Sequence, residues 1–102
     1  MDRILKDNLL CLIGLYIDRG DKMGTVECVG NRILELCRKK NLSINGLARS
    51  AGVPPTTVKN ILNGASRNPG IVTIKMICDG FCISLVEFFD TKQFRELEQE
   101  LQ

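Results

Sequence analysis

The stretch Thr56-Thr57-Val58-Lys59-Asn60-Ile61-Leu62-Asn63 interleaves hydrogen-bonding and cationic side chains with Val, Ile and Leu. At about 100° per residue, Val58, Ile61 and Leu62 fall on one side of a helix, with Thr56, Lys59, Asn60 and Asn63 almost opposite. A solvated face is the plain reading of that pattern. The chemical reading is a surface that offers donors, acceptors and one cation to a ligand. Catalytic patterns are scarce by contrast. The 102 residues include no histidine, so general acid–base chemistry near neutral pH would need a perturbed Cys, Lys or carboxylate. No enzyme activity is expected. Cys11, Cys28, Cys37, Cys78 and Cys82 make an odd number without framework spacing, unlike a secreted disulfide scaffold. Cys78 and Cys82 are four apart, a spacing that could set two thiols side by side for a metal or a redox switch. The alternative is packing, because a free Cys behaves as a small hydrophobe. No CxxC pair supports a four-thiolate zinc site, and no metal or cofactor is expected.

The net charge of +2 hides an asymmetry. Residues 1–22 carry four basic and four acidic side chains. Residues 23–70 carry seven basic (Arg32, Arg38, Lys39, Lys40, Arg49, Lys59, Arg67) against two acidic (Glu27, Glu35), a net of +5. Residues 71–102 carry three basic against six acidic, a net of −3. The basic middle suits a polyanion, with the acidic end turned away; a solvated basic face without a partner is the alternative. The longest apolar run, LLCLIGLYI, has nine residues, far short of the roughly 20 that span a bilayer. A cytoplasmic protein of one domain, without a membrane partner, is expected.

Several helices must position these residues. Val29, Ile33, Leu36 and Cys37 recur at helical spacing, so residues 27–40 read as an amphipathic helix with Arg38, Lys39 and Lys40 crowding its last turn. Those three cations either complement the helix C-terminus or reach a phosphate. Ser43 is a natural N-cap for a second helix over 44–51, where Leu47, Ala48 and Ala51 share one face and the small alanines let another helix cross closely. Gly52 then ends that helix in the left-handed region. Pro54 and Pro55 fix the start of a third helix, running to about Leu62 with Gly64 as its stop. Ile74, Ile77, Cys78 and Phe81 mark a fourth helix. A fifth begins after Ser84, another N-cap, and presents Leu85, Phe88 and Phe89. No strand, repeat or low-complexity segment is evident.

Two short helices joined by a tight glycine-containing turn, the second with an uncovered polar face, form a helix-turn-helix, whose second helix lies in the DNA major groove. From Asn31 to Phe89 the sequence resembles, position by position, the phage repressor and Cro-like helix-turn-helix family. RILELCRKKNLS is similar to the family's first helix, INGLARSAG to its second and VPPTTVKNILNG to its recognition helix, and NPGIVTIKMICDGFCISLVEFF follows its trailing pattern without a gap. The resemblance implies an all-α, five-helix lambda-repressor-like DNA-binding domain over 23–90, acting on double-stranded DNA as a sequence-specific transcriptional regulator, most simply a repressor. Carried over by position, it implies that Pro55, Thr56, Lys59 and Asn60 face base edges. It also implies that Ser43, Asn45, Thr57, Asn63, Ser66, Arg67 and Asn68 face the phosphate backbone. The sequence departs from the family pattern at Ile44, where Gln is usual, at Pro55, which cannot read a base by hydrogen bonding, at Leu62 in place of Glu, and at Cys82 in place of Gly.

The two ends lie outside the resemblance. Leu5, Leu9, Leu12 and Tyr16, widened by Ile13 and Ile17, form an apolar stripe that reads as an extra N-terminal helical arm over 1–22, serving a homodimer or packing on its own core. The stretch IDRGDKMG is also what a purine-rich ribosome-binding site would spell if translated, which makes Met23 an alternative natural start. Residues 91–102 read as a helical tail, with Phe94, Leu97 and Leu101 on one side. A competing function of another class is an antitoxin-like module that binds a protein partner and its own operator. A weaker one is a thiol-based sensor using Cys78 and Cys82.

Overall fold

The computed structural model describes residues 24–100. The arm over 1–22 and the question of Met23 lie outside those residues, as do Leu101 and Gln102.

The described chain is helical and contains no strand among these residues. Helix α1, Thr25–Lys40, buries Val29, Ile33, Leu36 and Cys37 along one face and ends at Asn41 in the left-handed region. Helix α2, Ile44–Ala51, is capped by Ser43, whose hydroxyl accepts the Gly46 N–H at 2.9 Å. It ends at Gly52 with φ 75°, a conformation that costs glycine nothing sterically. Helix α3, Pro55–Leu62, starts behind Pro54, whose φ −63° and ψ 142° give the extended N-cap that precedes a proline at the first helical position. Helix α4, Ile71–Phe81, is followed by α5, Leu85–Phe89, with Ser84 accepting the Glu87 N–H at 3.0 Å.

The five expected helices are present, and a sixth follows. Helix α6, Lys92–Arg95, is a single turn capped by Thr91. The expected helical tail extends no further. Glu96, Glu98 and Glu100 come where a helix C-terminus favours cations. The chain instead runs back to the start of α1, where Glu100 Oε2 accepts from Thr25 Oγ1 at 2.7 Å.

Ile33, Leu47, Val58, Ile77, Cys78, Phe81 and Phe88 are almost wholly enclosed and draw on α1 to α5. The most extensive helix pairing is α2 against α4. A Cβ on Gly80 would stand 3.0 Å from the N, Cα and Cβ of Ala51, so the small residues of both helices permit this approach. On the far side, Phe89 packs edge-on against Phe88 and Phe94, with ring centroids 4.9 and 4.8 Å apart, which fastens α6 to α5. Such pairs add about 0.5–1.5 kcal/mol each beyond simple burial.

Candidate nucleic-acid interface

The site begins with how α3 is held. Val58 and Ile61 are buried, and Leu62 packs against the same core, so their burial fixes the rotation of the helix. Pro55, Thr56, Lys59 and Asn60 are exposed, while Thr57 is half-buried. The Thr57 N–H closes the first turn on the Pro54 carbonyl at 2.9 Å. Three different side-chain chemistries therefore share one solvent-facing surface: a hydroxyl at Thr56, an ammonium at Lys59 and a carboxamide at Asn60.

The segment after α3 is built as tightly as the helix. Asn63 caps it and its Oδ1 accepts the Ala65 N–H at 2.9 Å, leaving the amide NH2 group as a donor. The Ser66 N–H returns to the Asn60 carbonyl at 2.9 Å, so residues 63–66 fold back on the helix. Gly64 makes that turn with φ 85°. Arg67 and Asn68 are exposed beyond it and Ser66 is half-buried. One guanidinium nitrogen of Arg67, Nη1, donates to Glu27 Oε2 at 2.9 Å. Ser43 and Asn45 stand exposed at the start of α2, the other helix of the motif, and are placed by the Ser43 cap.

Electrostatically the basic middle of the chain is divided. Arg32 is turned inward: Nε and Nη2 donate to the Phe88 and Glu87 carbonyls at 2.7 and 2.8 Å, and Nη1 to Glu35 at 3.0 Å. Lys39 stands 3.6 Å from Glu35. Arg38, Lys40, Arg49, Lys59 and Arg67 remain at the surface. Sequence reading counted Arg32 with the others. Its tertiary partners lie more than fifty residues away, so nothing local marks it.

The cysteines are divided too. Burial pushes the Cys37 thiol up to about 11, and burial first, with neighbouring acidic side chains, raises Cys28 and Cys78. Thiols of that kind stay protonated and act as packing atoms. Cys82 leaves the helix as its left-handed C-cap at φ 63° and is exposed, whereas Cys78 is wholly buried. The side-by-side pair that their spacing suggested is not formed. Among the described residues no group of three Cys, Asp or Glu side chains is placed to hold a metal ion.

A profile of the Cro/C1-type HTH DNA-binding domain matches residues 32–93, which takes in α2, the Gly52 turn, α3 and the helices behind them. The chain belongs to the Cro/C1-type helix-turn-helix family. A solved structure titled "Crystal structure of the prophage Lp1 protein 11" superposes with a TM-score of 0.65 and is 37% identical, over 74% of this chain and 100% of that one. No curated protein matches the chain. The Cro/C1-type domain accounts for a DNA-binding regulator, and no described helix is long and apolar enough to cross a membrane.

Proposed function

We infer that this Cro/C1-type protein is a sequence-specific transcriptional repressor that lays α3 in the DNA major groove. The observation that carries the reading is the exposed Thr56, Lys59 and Asn60 surface on a helix whose opposite side is locked into the core. Asn60 has the geometry to pair with the N6 and N7 groups of adenine, Thr56 to touch a thymine methyl, and Lys59 to reach guanine O6 and N7 or a phosphate. Pro55, at the tip of the helix, offers an apolar contact. Ser43, Asn45, Thr57, Asn63, Ser66, Arg67 and Asn68 act as phosphate ligands and set the register of the helix.

A short list of base contacts, each worth about 1–3 kcal/mol, gives one copy modest discrimination. A homodimer doubles the list across two half-sites about one helical turn apart. The dimer reading is supported by exposed apolar side chains on α4 and α5. Ile71 and Val86 are 62% and 78% exposed and share a shallow hollow with Leu85 and Phe89, and Val72 on α4 is 68% exposed. A DNA target together with free thiols at Cys37, Cys78 and Cys82 fits the reducing cytoplasm.

Fluorescence anisotropy tests the reading, with the full chain titrated onto a duplex from its own gene's upstream region and onto a scrambled duplex across a salt series. The expected result is a preference of a thousandfold or more that Asn60→Ala erodes, with sedimentation showing two chains per duplex. Phosphate contacts make log affinity fall steeply with log salt, and Arg67→Ala flattens that slope by about 0.9. Binding of neither duplex below about 100 μM at moderate salt, weaker than ordinary non-specific association, overturns it.

A further inference from the structure

Glu27 lies outside the matched domain, on the first turn of α1, with its carboxylate between Arg67 and the start of its own helix. Oε2 takes the Arg67 guanidinium at 2.9 Å. Oε1 curls back over Gly24, where a Cβ would stand only 2.6 Å away from it. Glu27 is the third residue of α1 behind an N-cap glycine, the position from which a Glu side chain returns to the cap. One turn further on, Gly30 lets α1 close on the end of α3: a Cβ there would touch Leu62 at 3.6 Å and the Ile61 carbonyl at 3.8 Å. The carboxylate is thus fixed to the helix that carries it, and that helix is fixed to α3.

We propose that Glu27 is a positioning residue that sets Arg67 for one DNA phosphate and thereby raises the specificity of the domain. The inference rests on the proposed DNA reading. An arginine free to swing neutralises whichever phosphate comes near, which is how non-specific binding is built. With Nη1 tied to Glu27, the remaining N–H donors of the fork point from one place only. Arg67 then meets a phosphate where α3 is seated in register. The carboxylate also lowers the local positive charge, so loosely docked complexes gain less from Arg67 than the seated one.

The test uses the full chain, a duplex selected by that chain from a random pool, and a scrambled duplex, with the ratio of the two dissociation constants as the readout. Glu27→Ala is expected to tighten binding to the scrambled duplex and to reduce the ratio threefold or more. Glu27→Gln, which keeps an oxygen for Nη1, should fall between. Gly24→Ala displaces the carboxylate without removing its charge, so it should lower the ratio while tightening the scrambled duplex less than Glu27→Ala does. Thermal melts of each variant confirm that the domain remains folded. An unchanged ratio in Glu27→Ala, or equal tightening on both duplexes, overturns the proposal and reduces Glu27 to a mere charge. If Arg67→Ala leaves the salt slope of the wild-type chain unaltered, Glu27 has nothing to position and the proposal falls while the regulator reading stands. If the wild-type chain enriches no sequence from the pool, the regulator reading fails and takes the proposal with it.

Discussion

Helix α1 meets the rest of the domain through two arginines, its own Arg32, which pairs with Glu35 inside the helix and reaches across to α5, and Arg67, which comes to Glu27 from the segment after α3. The first is a structural clamp. The Arg32 side chain is 10% exposed, and two of its nitrogens are committed to the Glu87 and Phe88 carbonyls at the end of α5, where a cation complements both the helix dipole and the last carbonyls. The second is a surface contact, with the Arg67 side chain 62% exposed and only Nη1 engaged. The same functional group is consumed in one place and poised in the other, and what separates them is burial and the number of donors left over. A count of basic residues over 23–70 treats the two as equals.

The largest difference between them is expected in stability. Arg32→Met takes the charged donor from the half-buried Phe88 carbonyl and one of two donors from the Glu87 carbonyl, which keeps the Asp90 N–H at 3.4 Å, and the loss should be about 2–3 kcal/mol, since charged hydrogen bonds contribute more than neutral ones. Arg67→Ala should cost under about 0.5 kcal/mol, as exposed ion pairs do. Urea denaturation measures both. Equal losses would erase the distinction between clamp and contact.

Next in size is a change beneath the helix-turn-helix itself. Gly80→Ala places a methyl against backbone atoms of Ala51, which cannot step aside as a side-chain tip can. Overpacking of this sort costs about 1–3 kcal/mol, and the better helix propensity of Ala returns at most about 1 kcal/mol. A net loss of about 1–2 kcal/mol on thermal unfolding, with the salt slope of DNA binding kept, would place the α2–α4 crossing with the Arg32 clamp on the supporting side of the molecule. A flatter slope would show that the spacing of α2 also sets phosphate contacts.

A third change should strengthen the support. Cys82 holds a left-handed cap that costs a residue with a side chain about 1–2 kcal/mol more than glycine. Cys82→Gly is therefore expected to gain about 1 kcal/mol in urea denaturation and leave DNA affinity as it was. A loss of stability would mean that the exposed thiol makes a contact worth more than the strain.

How much of this was legible in the sequence differs between the same two regions. The caps at Ser43 and Ser84, the Gly52 turn, the paired prolines and the burial of Val58 and Ile61 are local or periodic signals, and the structure has each where the sequence put it. The tight crossing was visible as alanines at 48 and 51, although Gly80 as their partner was not. The inward turn of Arg32, the return of Glu100 to Thr25 and the Glu27–Arg67 pair depend on residues 40 to 75 positions apart. No spacing rule reaches that far. Of the two readings for Cys78 and Cys82, packing fits the buried Cys78, while the paired-thiol reading assumes a continuous helix and the helix gives way to its C-cap at Cys82.

The smallest expected effect separates the two contacts by pH. Burial is the largest single influence on Glu27 and works against its ionisation. The Arg67 hydrogen bond and charge, with backbone hydrogen bonds from residues 24 and 27, outweigh it, and the carboxyl lies below its ordinary value of 4.5. A carboxylate whose pKa falls on folding contributes stability that is present above the unfolded value and lost as pH drops through the folded one. The gap in stability between wild type and Glu27→Gln, small and screened by salt, should thus hold from neutral pH down to about 5 and close below 4.5. The gap produced by Arg32→Met should persist for the most part over the same range, because the Glu87 and Phe88 carbonyls that receive two of its three bonds do not titrate. Urea denaturation at stepped pH measures both. If the Glu27→Gln gap is instead indifferent to acid, Glu27 acts through packing rather than through its charge on Arg67.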